Sequence, residues 1–347
     1  MLAYAGPIER VHVFGHPIHP LDVSRQPADA QVFNCLNFCL LLGRAGLPHV
    51  YYGMTGSCLP PGGEFVDLGE PTGDWAYGNE WHQEYTRRAN AAFAAKTQDD
   101  DHSGPQLVAS LYGAAHADLV VGDWPVVEAM IGYDHCCDAY RVFPSYAHQT
   151  ALYTHYEEMV RETRFFDTVI PHFLNPDDYP LGNGEGGYAL YLGRDVADKG
   201  IALAEDACAA AGIPLRKVHD GVWGEAKARL LGEAAVVLMP TLYLEPFGYV
   251  AIEAQMCGTP VVTTDWGAFP ETVEQGVTGF RCRTQAEFLA ALAATPALDR
   301  PTIRRLAAER FGIEAVGPQY LAYFTFVWQV HLGGYRAQGA CRLPLRA

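Results

Sequence analysis

Two rhythms of apolar and polar positions alternate along the chain. VHVFGHP (11–17) is an apolar run broken by glycine and proline. It predicts a short buried strand, followed by a proline-rich loop, GHPIHPLDVSRQP, that resists regular structure. DAQVFNCLNFCLLLGRAGL then has helical spacing, with Asp29 placed to cap its start and Gly46 near its end. HVYYGMT (49–55) and FVDLG (65–69) read as strands, and EWHQEYTRRANAAFAAK (80–96) as a helix. After the polar loop TQDDDHSGP (97–105), the pattern predicts a strand at DLVVGD (118–123), a short helix at WPVVEAMIGY and a strand at YRVFPSY. Such alternation argues for a parallel sheet with helices on its faces.

The rhythm stops at HFLNPDDYPLGNGEGG (172–187), which is rich in Gly, Pro, Asn and Asp and lacks apolar periodicity. It reads as a linker. The pattern then restarts. YALYLGR, LRKVHD, AVVLMP and PVVTT read as strands, and DKGIALAEDACAAAGI, EAKARLLGEA and GYVAIEAQMCG as the helices between them. The expected fold class is α/β, with two Rossmann-like β/α domains at 1–172 and 188–317 joined by a linker at 173–187. Ligand-binding loops belong at the C-terminal ends of their strands. In the remaining segment (318–347), PQYLAYFTFVWQVHLGG is so aromatic that it must pack on something. It predicts a helix that crosses back to the first domain, with burial in the second domain's own core as the alternative.

Composition narrows the partners. Hydrophobic residues are 49% and charged residues 18% of 347, ordinary values for a globular chain with two cores. The formal charge of −16 repels phosphate backbones and anionic lipid at long range, although a local basic groove survives a negative total. Nine cysteines form no zinc or disulfide framework, which points to reduced thiols and a cytoplasmic setting. The opening residues predict no signal peptide, and no apolar run reaches the roughly 18–20 residues that span a bilayer.

The chemistry gathers at LYLEPFGYVAIEAQMCGTPVV (242–262), where Glu245 and Glu253 stand eight residues apart. The first lies in the loop leaving a strand, and the second lies on the first turns of the next helix. Pro246 and Gly248 fit the helix start, whose unpaired amides suit a phosphate. Glycine there lets the backbone approach closely. A carboxylate at Glu253 suits the vicinal hydroxyls of a ribose, and Glu245 suits sugar hydroxyls beyond the diphosphate.

EPFGYVAIEAQMCGTPVVTTDWGAFPETVEQGVTGF (245–280) resembles the E-x7-E donor segment of the retaining GT-B glycosyltransferases of family four. YLGRDVADKG (191–200) is similar to that family's strand-loop-helix carrying Arg and Lys, and VIPHFLNPDDY (169–179) to its interdomain segment. The resemblance covers roughly 169–290 and implies a GT-B architecture. It also implies a nucleotide-diphosphate sugar as donor, UDP- or GDP-linked, with no other cofactor. Glu253 would bind the ribose and Glu245 would face the donor sugar. Arg194 and Lys199 would stabilise the departing diphosphate, as fixed cations do. Phe247, Gly248 and Tyr249 would offer backbone contacts, with Gly267 a lesser candidate. The first domain departs from the family pattern, since GHPIHPLDVSRQPADA replaces the glycine pair after the first strand. His16, His19 and Arg25 are available there instead. RVFPSYAHQ (141–149) places His148 about where the family has a histidine at a strand end, either as a sugar contact or as a structurally satisfied ring. Asp123, at the end of DLVVGD, is a candidate for the acceptor side.

The expected reaction is transfer of a hexosyl or pentosyl group to a hydroxyl acceptor with retention, without a metal. The one acidic run, Asp99, Asp100 and Asp101, lies in a polar loop and not at a strand end. The acceptor stays open: a glycan, a lipid-linked sugar, a small molecule or a modified nucleic-acid base. The last would suit a virus-type enzyme with a basic stripe, for which Arg87, Arg88 and Arg141 are candidates. A noncatalytic nucleotide-sugar sensor is the other alternative.

Overall fold

The structure is a computed structural model and describes residues 2–26, 29–98, 104–137, 139–155, 166–219 and 222–334. The acidic run Asp99, Asp100, Asp101 lies outside the described residues. The chain forms two compact units, each built on its own parallel sheet.

The first unit contains β1 (Arg10–Phe14), α1 (Ala30–Arg44), β2 (His49–Gly53), β3 (Gly63–Asp67), α2 (Glu80–Gln98), β4 (Gln106–Ser110), β5 (Val126–Glu128), β6 (Tyr140–Phe143) and β7 (Thr168–Val169). The strands lie in the order β3-β2-β1-β4-β5-β6-β7, all parallel, so the order reverses between β1 and β4. α1 begins where Asp29 predicts, its side chain accepting from the amides of Gln31 and Val32. Phe14, Tyr52, Trp81, Tyr85 and Phe93 fill the core between sheet and α2. Of the C-terminal helix Ile313–Gly333, the residues from Val316 onward belong to this unit. There Tyr323 is fully buried and donates its hydroxyl to the Phe166 carbonyl at 2.7 Å. The aromatic tail therefore returns to the first unit, as its composition predicts.

Three sequence expectations fail in this unit. DLVVGD is not a strand; its Val120 is 72% exposed and its backbone amide bonds Asn90 at 2.8 Å. WPVVEAMIGY is not a helix, because Val126–Glu128 inserts as a strand beside β4. A three-residue buried strand has no periodicity that separates it from a helical turn. YRVFPSY ends as a strand at Phe143, and the next element is helix α3 (Tyr146–His155).

Glu128, at the end of β5, is fully buried, and burial pushes its carboxyl up to about 7. It accepts from Tyr133 and the Cys137 amide, and Arg141 stands 3.7 Å away. Its acid form is favoured on folding, so its contribution is fully present below the ordinary carboxylate range and is lost as pH rises through about 7. Folding stability is expected to fall between pH 5 and 8 by an amount that Glu128→Gln abolishes. Urea melts at both pH values check this.

The second unit contains α3, β8 (Ala189–Leu192), α4 (Ile201–Ala211), β9 (Leu215–Val218), α5 (Gly224–Glu233), β10 (Val236–Met239), α6 (Tyr249–Met256), β11 (Val261–Thr264), α7 (Phe269–Thr272), β12 (Gly279–Cys282), α8 (Gln285–Ala294) and α9 (Arg300–Phe311). Its order is β12-β11-β10-β8-β9, again parallel. The segment read as a linker is bound to this unit. The amides of Gly182, Gly184 and Gly186 donate to the carbonyls of Cys257, Gly232 and Glu233, and Arg300 donates to Gly182. Low apolar content hid an ordered segment whose backbone groups are met by carbonyls distant in sequence. Among the described residues no helix is long and apolar enough to cross a membrane.

Candidate functional site

The strand order of the second unit reverses between β8 and β10, and loops leaving such a pair of strands form the ligand crevice of open α/β sheets. The loop after β8 carries Arg194 and Lys199; the loop after β10 carries Tyr243 and Glu245. The two loops are tied where the Leu242 amide meets the Asp198 carbonyl at 2.8 Å. Lys199 Nζ lies 3.1 Å from Glu245 Oε2, which also accepts from Tyr243 OH at 2.7 Å. The ammonium sits 4.5 Å from the centre of the Tyr243 ring. Burial and the Glu245 charge raise the Tyr243 phenol well above its ordinary value, so it stays a donor. Lys199 spends two of its three protons on this pair and keeps one. Arg194 is exposed, and its guanidinium has no acceptor among the described residues.

Two glycines allow this geometry. Gly248 has φ +86 and opens α6, whose first amides lack helical partners. Gly267 has φ +62, and a Cβ on it would lie 2.5 Å from the Glu245 backbone nitrogen. Gly267 thus admits the Glu245 backbone, and the next amide, Ala268, donates to the Glu245 carbonyl at 2.9 Å. Phe247 is buried, in edge contact with Tyr249 and with His172. The His172 ring also stacks on Tyr249 at 5.2 Å, and burial lowers its pKa to about 3, so it is neutral.

Glu253 lies on α6 and is 1% exposed. Its Oε1 accepts from Tyr179 at 3.0 Å and from Lys227 Nζ at 2.6 Å. Its Oε2 is buried and has no partner among the described residues. An unmet acceptor on a buried carboxylate calls for an explanation, and a ligand hydroxyl supplies one. Lys227 and Tyr179 escaped the sequence reading. The one available signal was a lysine on a helix stretch, EAKARLLGEA, that is otherwise half apolar.

His148 sits on α3 and not at a strand end, and α3 belongs to the second unit. Ser145, just before that helix, accepts from the His148 amide at 3.0 Å and donates to the Pro246 carbonyl at 2.7 Å. His148 is therefore held beside the Glu245 loop, and the residue is buried. Ser145 was not among the residues singled out from the sequence.

The other candidates lie in the first unit. His16 and His19 follow β1 and Arg25 is exposed further along the same loop. One atom each of His16, His19 and Asp29 lie within 4.8 Å of one another, a spacing open to a metal ion. The hydrogen bonds argue otherwise. His16 Nδ1 accepts from the amides of Ile18 and His19, which places its proton on Nε2, 3.3 Å from Asp29 Oδ2. His19 Nδ1 lies 2.8 Å from the same oxygen. A cation there would require a His16 ring without any proton. Burial opposes ionisation of Asp29, but its bonds from His16 and His19 hold its carboxyl well below the usual range. Asp123 is exposed in the loop entering β5, so it lies at the N-terminal end of that strand and not, as the sequence suggested, at the C-terminal end of one. Arg87 and Arg88 both bind Glu84 at 2.7 Å, and Arg141 is buried with its guanidinium on the Cys137 carbonyl. These three arginines form no basic stripe.

Residues 199–295, which carry Lys199 and both glutamates, match the family described as Glycosyl transferases group 1. The fold is GT-B, and a segment of its second unit is similar to the group 1 glycosyl transferases. A D-inositol 3-phosphate glycosyltransferase of Streptomyces avermitilis is 38% identical over 105 residues, 28% of this chain and 22% of the relative. An uncharacterized glycosyltransferase of Methanocaldococcus jannaschii, MJ1607, is 41% identical over 76 residues, 22% and 19% of the two chains. This chain thus spans about a fifth of the length of these relatives. Among solved structures, AviGT4, a glycosyltransferase involved in avilamycin A biosynthesis, superposes with TM-score 0.67 at 18% identity, covering 92% of this chain and 98% of its own. Sucrose-phosphate synthase from Thermosynechococcus elongatus gives 0.67 at 18% over 92% and 99%. Anabaena Alr3699/HepE in complex with UDP and glucose gives 0.63 at 15% over 92% and 99%. At these identities the structures speak for the fold, and the match over residues 199–295 supplies the family likeness.

Proposed function

We propose that the protein moves a sugar from a nucleotide-diphosphate donor to a hydroxyl acceptor with retention of anomeric configuration. The observation that carries this reading is Glu253 Oε2, a buried acceptor without a partner, on the helix whose open N-terminus follows the Lys199–Glu245 pair. A ribose fills that acceptor. The diphosphate then meets the first amides of α6, the free guanidinium of Arg194 and the remaining proton of Lys199. The donor sugar extends toward Glu245, with His148 held beside the same loop. As the diphosphate leaves it gains charge, and Arg194 and Lys199 stabilise that charge without reorganising. The departing phosphate oxygen takes the proton of the incoming hydroxyl on the same face, so no side-chain nucleophile is needed. The committed state of Arg87, Arg88 and Arg141 weighs against a nucleic-acid acceptor, which needs free cations for its phosphates.

A donor screen tests the proposal. Released nucleotide is measured by mass spectrometry across UDP- and GDP-sugars, beginning with UDP-glucose, which a HepE structure contains. Release from one donor class supports transferase chemistry; binding without any release is the behaviour of a sensor. Release is also expected to survive excess chelator, because side-chain cations and helix amides meet the diphosphate. Loss in chelator with recovery on adding magnesium or manganese overturns the metal-free part.

A further inference from the structure

The first turn of α3 is held from two sides. The Glu271 carboxylate, on α7, accepts from the amides of Tyr146 at 3.0 Å and Ala147 at 2.9 Å. Ser145 Oγ accepts from the third amide, His148, at 3.0 Å. Three of the amides that a helix start leaves open are therefore met by two side chains, and the carboxylate also answers the positive end of the helix. Glu271 is 124 residues or more from the amides it caps, so this is a tertiary clamp and not a local cap.

The clamp reaches the site. With α3 fixed, Ser145 Oγ donates to the Pro246 carbonyl at 2.7 Å. The neighbouring carbonyl, that of Glu245, accepts from Ala268 at 2.9 Å, and the Glu271 amide donates to Ala268 at 2.9 Å. One short turn, 268–271, thus supports the Glu245–Pro246 backbone directly through Ala268 and indirectly through Glu271, α3 and Ser145. Arg310 donates to the Glu271 carbonyl and fixes that turn in its place.

We propose that Glu271 is a positioning residue for the sugar-facing end of the site: by capping α3 it seats Ser145 on Pro246 and so fixes the loop that presents Glu245. The inference rests on the role assigned to Glu245 above. Glu271 touches neither nucleotide nor sugar. Its effect falls on turnover, which depends on where Glu245 stands, and spares the nucleotide end, which Glu253 and Lys227 hold independently.

The test uses the whole chain and a donor that it turns over, with kcat and donor KM from nucleotide release and free-nucleotide Kd from calorimetry. Glu271→Gln and Ser145→Ala are each expected to lower kcat about tenfold, the scale of one lost hydrogen bond. Free-nucleotide affinity should stay within about twofold, the usual scatter for independent sites. The double variant should be no slower than the worse single one, because both break one linkage. Ser145→Thr, which keeps the hydroxyl, should restore kcat. Tyr146→Pro deletes one capped amide at a position where proline suits a helix start, and should give a smaller loss of the same kind. Native kcat in Glu271→Gln, additive losses in the double variant, or equal losses of kcat and free-nucleotide binding would each overturn the proposal. If Glu245→Gln itself leaves transfer intact, the site assignment fails; if Glu245→Gln is slow and Glu271→Gln is not, only this inference fails.

Discussion

Lys199→Ala lowers turnover by about 10- to 150-fold, the equivalent of roughly 1.5–3 kcal/mol for a bond to a charged group, while affinity for the intact donor changes far less. The asymmetry follows from when the interaction matters. In the resting site Lys199 already has Glu245 and Tyr243, so it gains little from a donor whose charge is unchanged. It gains most when the diphosphate departs with added charge, and a loss confined to that stage appears in kcat. Single-turnover nucleotide release beside donor calorimetry checks it. A variant that loses affinity and turnover in equal proportion would show that Lys199 only binds.

Glu253→Gln weakens free nucleoside diphosphate binding by a similar factor, about 10- to 150-fold, and it also destabilises the fold. Removing the charge strands Lys227 Nζ, whose side chain is 12% exposed and 2.6 Å from Glu253. Breaking a buried pair from one side costs roughly 3–5 kcal/mol because the other charge is left uncompensated, and removing that charge as well relieves the cost. The double change Glu253→Gln with Lys227→Met should therefore recover thermal stability and still bind nucleotide poorly. Recovery of both would mean that Glu253 serves only the fold.

The first part of the second unit was legible in the sequence, because Ala189–Leu192 and Val236–Met239 are continuous apolar runs and the helices between strands show their period; Gly279–Cys282, with an arginine inside it, and the helices after it went unread. The first unit was less so. Gln106–Ser110 went unread as a strand because it opens on a polar residue, yet Gln106 is buried and bonded to His12 at 2.6 Å. Val126–Glu128 carries the helix-favouring Glu128 directly before Ala129 and Met130 and was read as helix. In both cases tertiary placement overrode local preference. At the site, the two glutamates were legible because an acid in an apolar stretch is conspicuous. Their partnerships were less so: Lys227, 26 residues from Glu253, went unread, and Lys199, 46 residues from Glu245, was singled out for the diphosphate but not as that glutamate's partner. Ser145 and Glu271 act across more than one hundred residues, and nothing local marks them.

The division of the donor between two glutamates is tested most directly by calorimetric titration of free nucleoside diphosphate into the native protein, Glu245→Gln and Glu253→Gln. The nucleotide carries the ribose but not the transferable sugar of the donor. Glu245→Gln should lose none of this affinity, because neutralising the carboxylate leaves Lys199 more available to the diphosphate. Glu253→Gln should lose about tenfold or more. Equal losses in the two variants, or native affinity in Glu253→Gln, would contradict the assignment of ribose to one carboxylate and sugar to the other.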